Sequence, residues 1–168
     1  MAERPIVLYG DPVLREVSEP VDEINQEVKD LVSDLVDTIK KAKGLGLAAV
    51  QIGVLKRVFI VDLSAVDMNE SLKVYINPVI VETEGEVVYE EGCLSFPGIY
   101  QKITRPAKVT IQATGLDGNR FEQTHEGLAA RAILHEFDHL EGKLFIDYLS
   151  SISKSLLKGR LRKLASAS

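Results

Sequence analysis

Cysteine is almost absent from this sequence: Cys93 is the only one among 168 residues. One thiol cannot close an internal disulfide, and a lone thiol that oxidising surroundings would leave reactive fits a reducing cytoplasm. No uninterrupted apolar run approaches the roughly 18 residues that a membrane span needs. The N-terminal MAERPIVLYG offers three consecutive aliphatic residues and meets an acid and a base at once, so no signal peptide is expected there. There is no internal repeat, low-complexity segment or linker, so one catalytic domain over residues 1–168 is expected. A chain of this length buries a core without disulfides or a structural metal, so a metal here is functional rather than structural.

Positive charge is scarce except at one end. The net charge is −5, yet Lys154, Lys158, Arg160, Arg162 and Lys163 have no acids among them, which leaves 15 bases against 25 acids before residue 154. Binding of free DNA is excluded on that balance, because a nucleic-acid binder is usually basic overall; only this tail could seek phosphate. Its plainer reading is the solvated face of a terminal helix.

The pattern along the chain is that of an α+β protein. INQEVKDLVSDLVDTIKKAK places Ile24, Val28, Leu31, Leu35 and Ile39 at helical spacing before Gly44, the signature of an amphipathic helix with a stop. The runs RVFIVDL, KVYINPVIV, GEVVYEE and AKVTIQATGLDGNRFEQTHE are rich in β-formers, and Asp117-Gly118 between two alternating stretches marks a hairpin. LAARAILHEFDHL, residues 128–140, is apolar on nearly every side, which predicts a helix wrapped by protein. KLFIDYL reads as an extended or turn segment, and a final helix is expected over about 153–165. Antiparallel sheets around a central helix, with an N-terminal amphipathic helix and a C-terminal helix outside, satisfy this order.

The central helix carries HEFDH, residues 135–139. Positions i and i+4 share a helix face, so His135 and His139 can each direct a nitrogen at one ion, and Glu136 stands beside it as a base for ion-bound water. Two imidazoles need a third protein ligand. A downstream histidine in the extended HExxHxxGxxH pattern would fall at Phe145, although Gly142 is in place, and no glutamate follows residue 141. Asp147, His125 and Cys93 remain. Cys93 is favoured because Gly92 before it and Pro97-Gly98 after it indicate a constrained turn, with a small residue that lets the backbone pass close to an ion or substrate. A thiolate with two imidazoles leaves one position for water, and its softness admits iron, zinc, cobalt or nickel.

GLGLAAVQ at 44–51, EGCLS at 91–95 and HEFDH at 135–139 together resemble the three segments of the peptide deformylase family, in order and over nearly the whole chain, in the form with a helical C-terminus. The resemblance implies hydrolysis of the N-formyl group from formylmethionyl nascent peptides, with release of formate and ferrous iron as the usual ion. It implies that Cys93, His135 and His139 bind the metal and Glu136 is the acid/base. It also implies that Gln51 and the backbone N–H of Leu94 hold the formyl oxygen, and that Gly46 pairs with the peptide chain. Leu128 and Ala132, on or near the face of His135, and Leu45 in the glycine loop are candidates for the methionine slot. The resemblance further suggests action near the ribosome through the basic terminal helix. Family members often carry arginine where this chain has Tyr100.

Three other readings fit HEFDH or Cys93 less fully. A zinc peptidase would take Asp147 or His125 as third ligand. A thiol hydrolase would use Cys93 as nucleophile with a histidine base. A closed site of Cys93, His125, His135 and His139 would be structural or store metal, leaving Glu136 without a task.

Overall fold

The computed structural model describes residues 2–65 and 69–166. The first helix, α1 (Gln26–Ala42), starts where the Asn25 side chain accepts a hydrogen bond from the Val28 N–H and stops at Lys43 in the left-handed region. Five strands then form one antiparallel sheet in the order β1-β2-β3-β6-β7. They are β1 (Gly46–Ala48), β2 (Val58–Asp62), β3 (Leu72–Glu84), β6 (Lys108–Thr114) and β7 (Arg120–Glu126). Between β3 and β6 the chain makes a separate antiparallel ribbon from β4 (Val87–Gly92) and β5 (Tyr100–Arg105). The buried helix α2 (Gly127–Leu140) and the terminal helix α3 (Ser151–Ser166) complete the fold.

The β1–β2 end of the sheet is covered on both sides. In β2, Val58 and Ile60 face α1 and pack with Leu31, Leu35 and Ile39, whereas Phe59 and Val61 face α2 and pack with Ala130 and Ile133. Alternate residues of a strand point to opposite faces, so a continuous apolar run is what a sheet between two helices requires. Burying a side chain of the size of Leu35 contributes about 1.5–3 kcal/mol. A third cluster joins Phe96, Ile99, Ile103 and Phe145 to Leu157 and Leu161 of α3. The C-terminal helix therefore packs behind the 96–103 segment.

Two irregularities fix the ends of this framework. Asn77 has φ +50° at a bulge in β3, and its side-chain amide bonds both the N–H and the carbonyl of Val21 at 2.8 Å, replacing a strand neighbour. Gly142 has φ +73° at the end of α2, and a Cβ there would lie 2.6 Å from the carbonyl oxygen of Arg15. The glycine expected at this place in HExxHxxG thus lets the N-terminal segment cross the end of α2. Arg15 secures the crossing by donating to both carboxylate oxygens of Asp147, at 2.7 and 3.0 Å.

Candidate metal centre

His135 and His139 leave α2 one turn apart, and the turn after β4 brings Cys93 to them from 42 residues earlier in the sequence relative to His135. One ligand atom from each lies within 4.8 Å of the other two. Cys93 Sγ is 3.4 Å from His139 Nε2, close to the separation of about 3.6 Å expected for sulfur and nitrogen on one tetrahedral ion. His135 Nδ1 is bonded to Glu91 Oε2 at 2.5 Å, which leaves Nε2 as the nitrogen available to an ion. The other candidates for third ligand are elsewhere. Asp147 is held by Arg15, and His125 on β7 bonds Gln123 at 3.0 Å.

The ionisation of the centre follows from burial and from its anions. Burial raises the Glu136 carboxyl to about 7. Among the described residues its Oε1 has no hydrogen-bond partner, as is also true of His139 Nδ1. Burial opposes a charge on His135, but Cys93, Glu136 and Glu91 outweigh it and hold its pKa well above the ordinary value. Burial together with the neighbouring His135 holds His139 well below. The donor set of one sulfur and two nitrogens fits a single divalent ion.

Beneath the centre lies an ionic network that the sequence did not reveal. Arg105 on β5 donates to both oxygens of Glu91 at 2.7 Å and to Asp138 at 2.9 Å. Arg131 donates to Glu91 and to the Val87 carbonyl, both at 2.9 Å, and Tyr148 donates to Asp138 at 2.7 Å. Burial alone would raise Glu91; its bonds from Arg105 and His135 instead hold it far below the usual carboxylate range. The signals available were Glu91 just before Gly92-Cys93 and Asp138 just before His139, both within quoted motifs. Arg105 gave no local signal.

The centre opens into a cleft of about 360 Å³ between the Gly44–Gly46 segment and the 90–98 segment, lined by every sequence-predicted substrate residue: Leu45, Gly46, Gly92, Leu128 and Ala132. Gln51 is buried at the cleft's inner wall. Its amide oxygen accepts from the Ala48 N–H at 2.9 Å, so its amide nitrogen points at Ser95 Oγ (3.1 Å) and Cys93 Sγ (3.6 Å). Leu94 bridges the walls, for a Cβ on Gly44 would lie 2.6 Å from its Cδ1.

Known proteins share this architecture. A family profile described as Polypeptide deformylase matches residues 3–155. The peptide deformylase of Acidobacterium capsulatum is 47% identical over 167 residues, covering 99% of this chain and 98% of its own. That of Pseudomonas aeruginosa is 45% identical, with 97% and 96% covered. The crystal structure of a peptide deformylase from Legionella pneumophila superposes with a TM-score of 0.90 at 42% identity, covering 96% of this chain and 95% of that one. The Thermus thermophilus enzyme gives 0.91 at 35% identity, with 98% and 99% covered. With this match along nearly its whole length, and with Cys93, His135 and His139 gathered beside Glu136, the chain belongs to the peptide deformylase family of hydrolases.

Proposed function

We propose that this protein removes the N-formyl group from N-formylmethionyl peptides of nascent chains, releasing formate, and that residues 1–168 act as one catalytic domain. The observation that carries this reading is the convergence of Cys93, His135 and His139 at the inner end of a cleft that also presents Glu136 and the Gln51 amide. Cys93 Sγ and one nitrogen each from His135 and His139 would hold one divalent ion, ferrous iron in the cell, with zinc, nickel and cobalt also suited to the donor set. Such an ion supplies Lewis acidity, polarising the formyl carbonyl and lowering the pKa of water.

The chain's own groups supply the rest. Glu136, raised by burial to about 7, is poised to take a proton from water and return it to the amine nitrogen as the C–N bond breaks. The Gln51 amide nitrogen, held toward Cys93 because its oxygen is occupied by Ala48, donates to the formyl oxygen as negative charge develops there. The Leu94 N–H is assigned as the second donor. β1 is the outermost strand of its sheet and β4 belongs to a two-stranded ribbon, so Gly46 and Gly92 can offer backbone groups to an extended peptide lying between them. Leu45, Leu128 and Ala132 wall the slot for the methionine side chain.

The exposed bases of α3 form the proposed contact with the ribosome, which would place the enzyme in the cytoplasm. No described helix is long and apolar enough to cross a membrane. The test is formate release from formyl-Met-Ala-Ser, with acetyl-Met-Ala-Ser as the control. Release from the formyl peptide alone, abolished by a chelator and restored by ferrous ion without oxygen, is expected. Cleavage of internal peptide bonds, or undiminished turnover after removal of the ion, contradicts the reading.

A further inference from the structure

Ser95 is completely buried, two residues after Cys93 in the turn that follows β4. Its hydroxyl has a partner 44 residues away in the chain: Gln51 Nε2 donates to Ser95 Oγ at 3.1 Å. Gln51 is itself only 1% exposed, so this is a bond between two polar side chains that bulk water does not reach. The backbones of both residues are held by one N-terminal segment. The Val7 N–H donates to the Gln51 carbonyl at 2.7 Å and the Tyr9 N–H to the Ser95 carbonyl at 2.9 Å.

An amide side chain is planar, with one acceptor oxygen and two N–H groups at fixed angles. The Gln51 oxygen accepts from the Ala48 N–H at 2.9 Å, but one contact does not fix the plane of the amide. The bond to Ser95 supplies the second anchor. With the oxygen on Ala48 and one N–H on Ser95, the direction of the remaining N–H follows from planarity, and Cys93 Sγ stands 3.6 Å from the same nitrogen. That N–H is thus turned to the proposed sulfur ligand, beside which the formyl oxygen is expected to bind.

We propose that Ser95 is a positioning residue for the reaction: its buried hydroxyl locks the Gln51 amide so that one N–H stays directed at the formyl oxygen as negative charge develops there. The inference rests on the deformylase reading above and on the role proposed for Gln51. Removing the hydroxyl leaves the amide with one anchor and a buried N–H without its acceptor. Misdirecting a donor should cost less than losing it. Ser95→Ala is therefore expected to lower kcat about tenfold, and Gln51→Ala about 100-fold.

The experiment is a double-mutant cycle on formate release from formyl-Met-Ala-Ser, with metal content measured for the wild type, Ser95→Ala, Gln51→Ala and the double variant. The account expects Ser95→Ala to lose activity in kcat, with KM and bound metal near wild-type values. When residue 51 is already alanine, the same change should cost less than about twofold, since its effect runs through the amide. A serine that only supports the fold would lower activity by the same factor in both backgrounds, and that result overturns the proposal. An unchanged kcat in Ser95→Ala overturns it too, as does loss of the metal from that variant. Absence of formate with the wild-type protein overturns the deformylase reading itself.

Discussion

Gly46 lies directly against the carboxylate of Glu136: a Cβ at residue 46 would sit 2.8 Å from Oε2 and 2.9 Å from Cγ. The glycine in β1 is therefore more than a proposed contact for the peptide. It leaves the volume in which the proposed acid/base is positioned. Gly46→Ala is expected to displace Glu136 and lower kcat on the order of 10- to 100-fold, the loss that follows from a small misplacement of a catalytic group. Bound metal should remain at wild-type level. Steady-state kinetics with metal analysis checks both, and an unchanged kcat would show that the contact is not tight in solution.

Glu91 connects the metal helix to two buried arginines. In Glu91→Gln the His135 bond loses its charged acceptor, and Arg105 and Arg131 lose their shared carboxylate. Metal affinity should fall about 10- to 100-fold. Leaving buried charge uncompensated should also cost about 3–5 kcal/mol of stability. Competition with a chelator measures the first effect and denaturant unfolding the second.

The Arg15–Asp147 pair predicts a pH dependence with a definite sign. Burial would raise the Asp147 carboxyl, but the bidentate bond from Arg15 and the Leu144 N–H outweigh it and hold the pKa below the ordinary value. A carboxyl depressed in the folded state contributes stability above its unfolded pKa of about 3.9 and loses it as pH falls through the lower folded value. Asp147→Asn should therefore destabilise at pH 7, by less than about 1 kcal/mol because the pair is solvent-screened. The difference should vanish in strong acid. Unfolding curves across that range test this; an Asp147→Asn penalty that persists at the lowest pH contradicts it.

One of the five terminal bases already has an internal partner. Arg160 donates to the carbonyl of Gly98 at 2.5 Å, in the segment that lines the cleft. A test of ribosome contact should neutralise Lys154, Lys158, Arg162 and Lys163 and retain Arg160. Co-sedimentation with ribosomes is expected to weaken in low salt while turnover of free formyl tripeptide stays unchanged. Unaltered co-sedimentation removes the proposed role of α3.

The long elements were legible because each repeats one signal many times. Val28, Leu31, Leu35 and Ile39 all pack on the sheet as their spacing predicts, and Gly118 at φ +86° lies in the turn between β6 and β7. Strand β1 has only three residues inside a glycine-rich segment, too few to show alternation, and β5 follows a turn without a clear apolar period. The site divides similarly. Residues at fixed sequence offsets, His135, Glu136 and His139, could be read from α2 alone, whereas Cys93 required context and resemblance. The bonds linking Glu91, Arg105, Asp138 and Tyr148 depend on how separate elements pack, which no short stretch of sequence encodes.

The most direct measurement concerns Glu136. Its carboxylate lines the cleft with Cys93 and His135, and its proposed role is to move the proton rather than to bind the ion. Glu136→Gln purified without oxygen should therefore retain about one metal ion per chain, as three protein ligands at one site require. Its formate release from formyl-Met-Ala-Ser should fall by about 10²- to 10⁴-fold. Turnover near the wild-type rate, or loss of the ion with the carboxylate, would contradict the account.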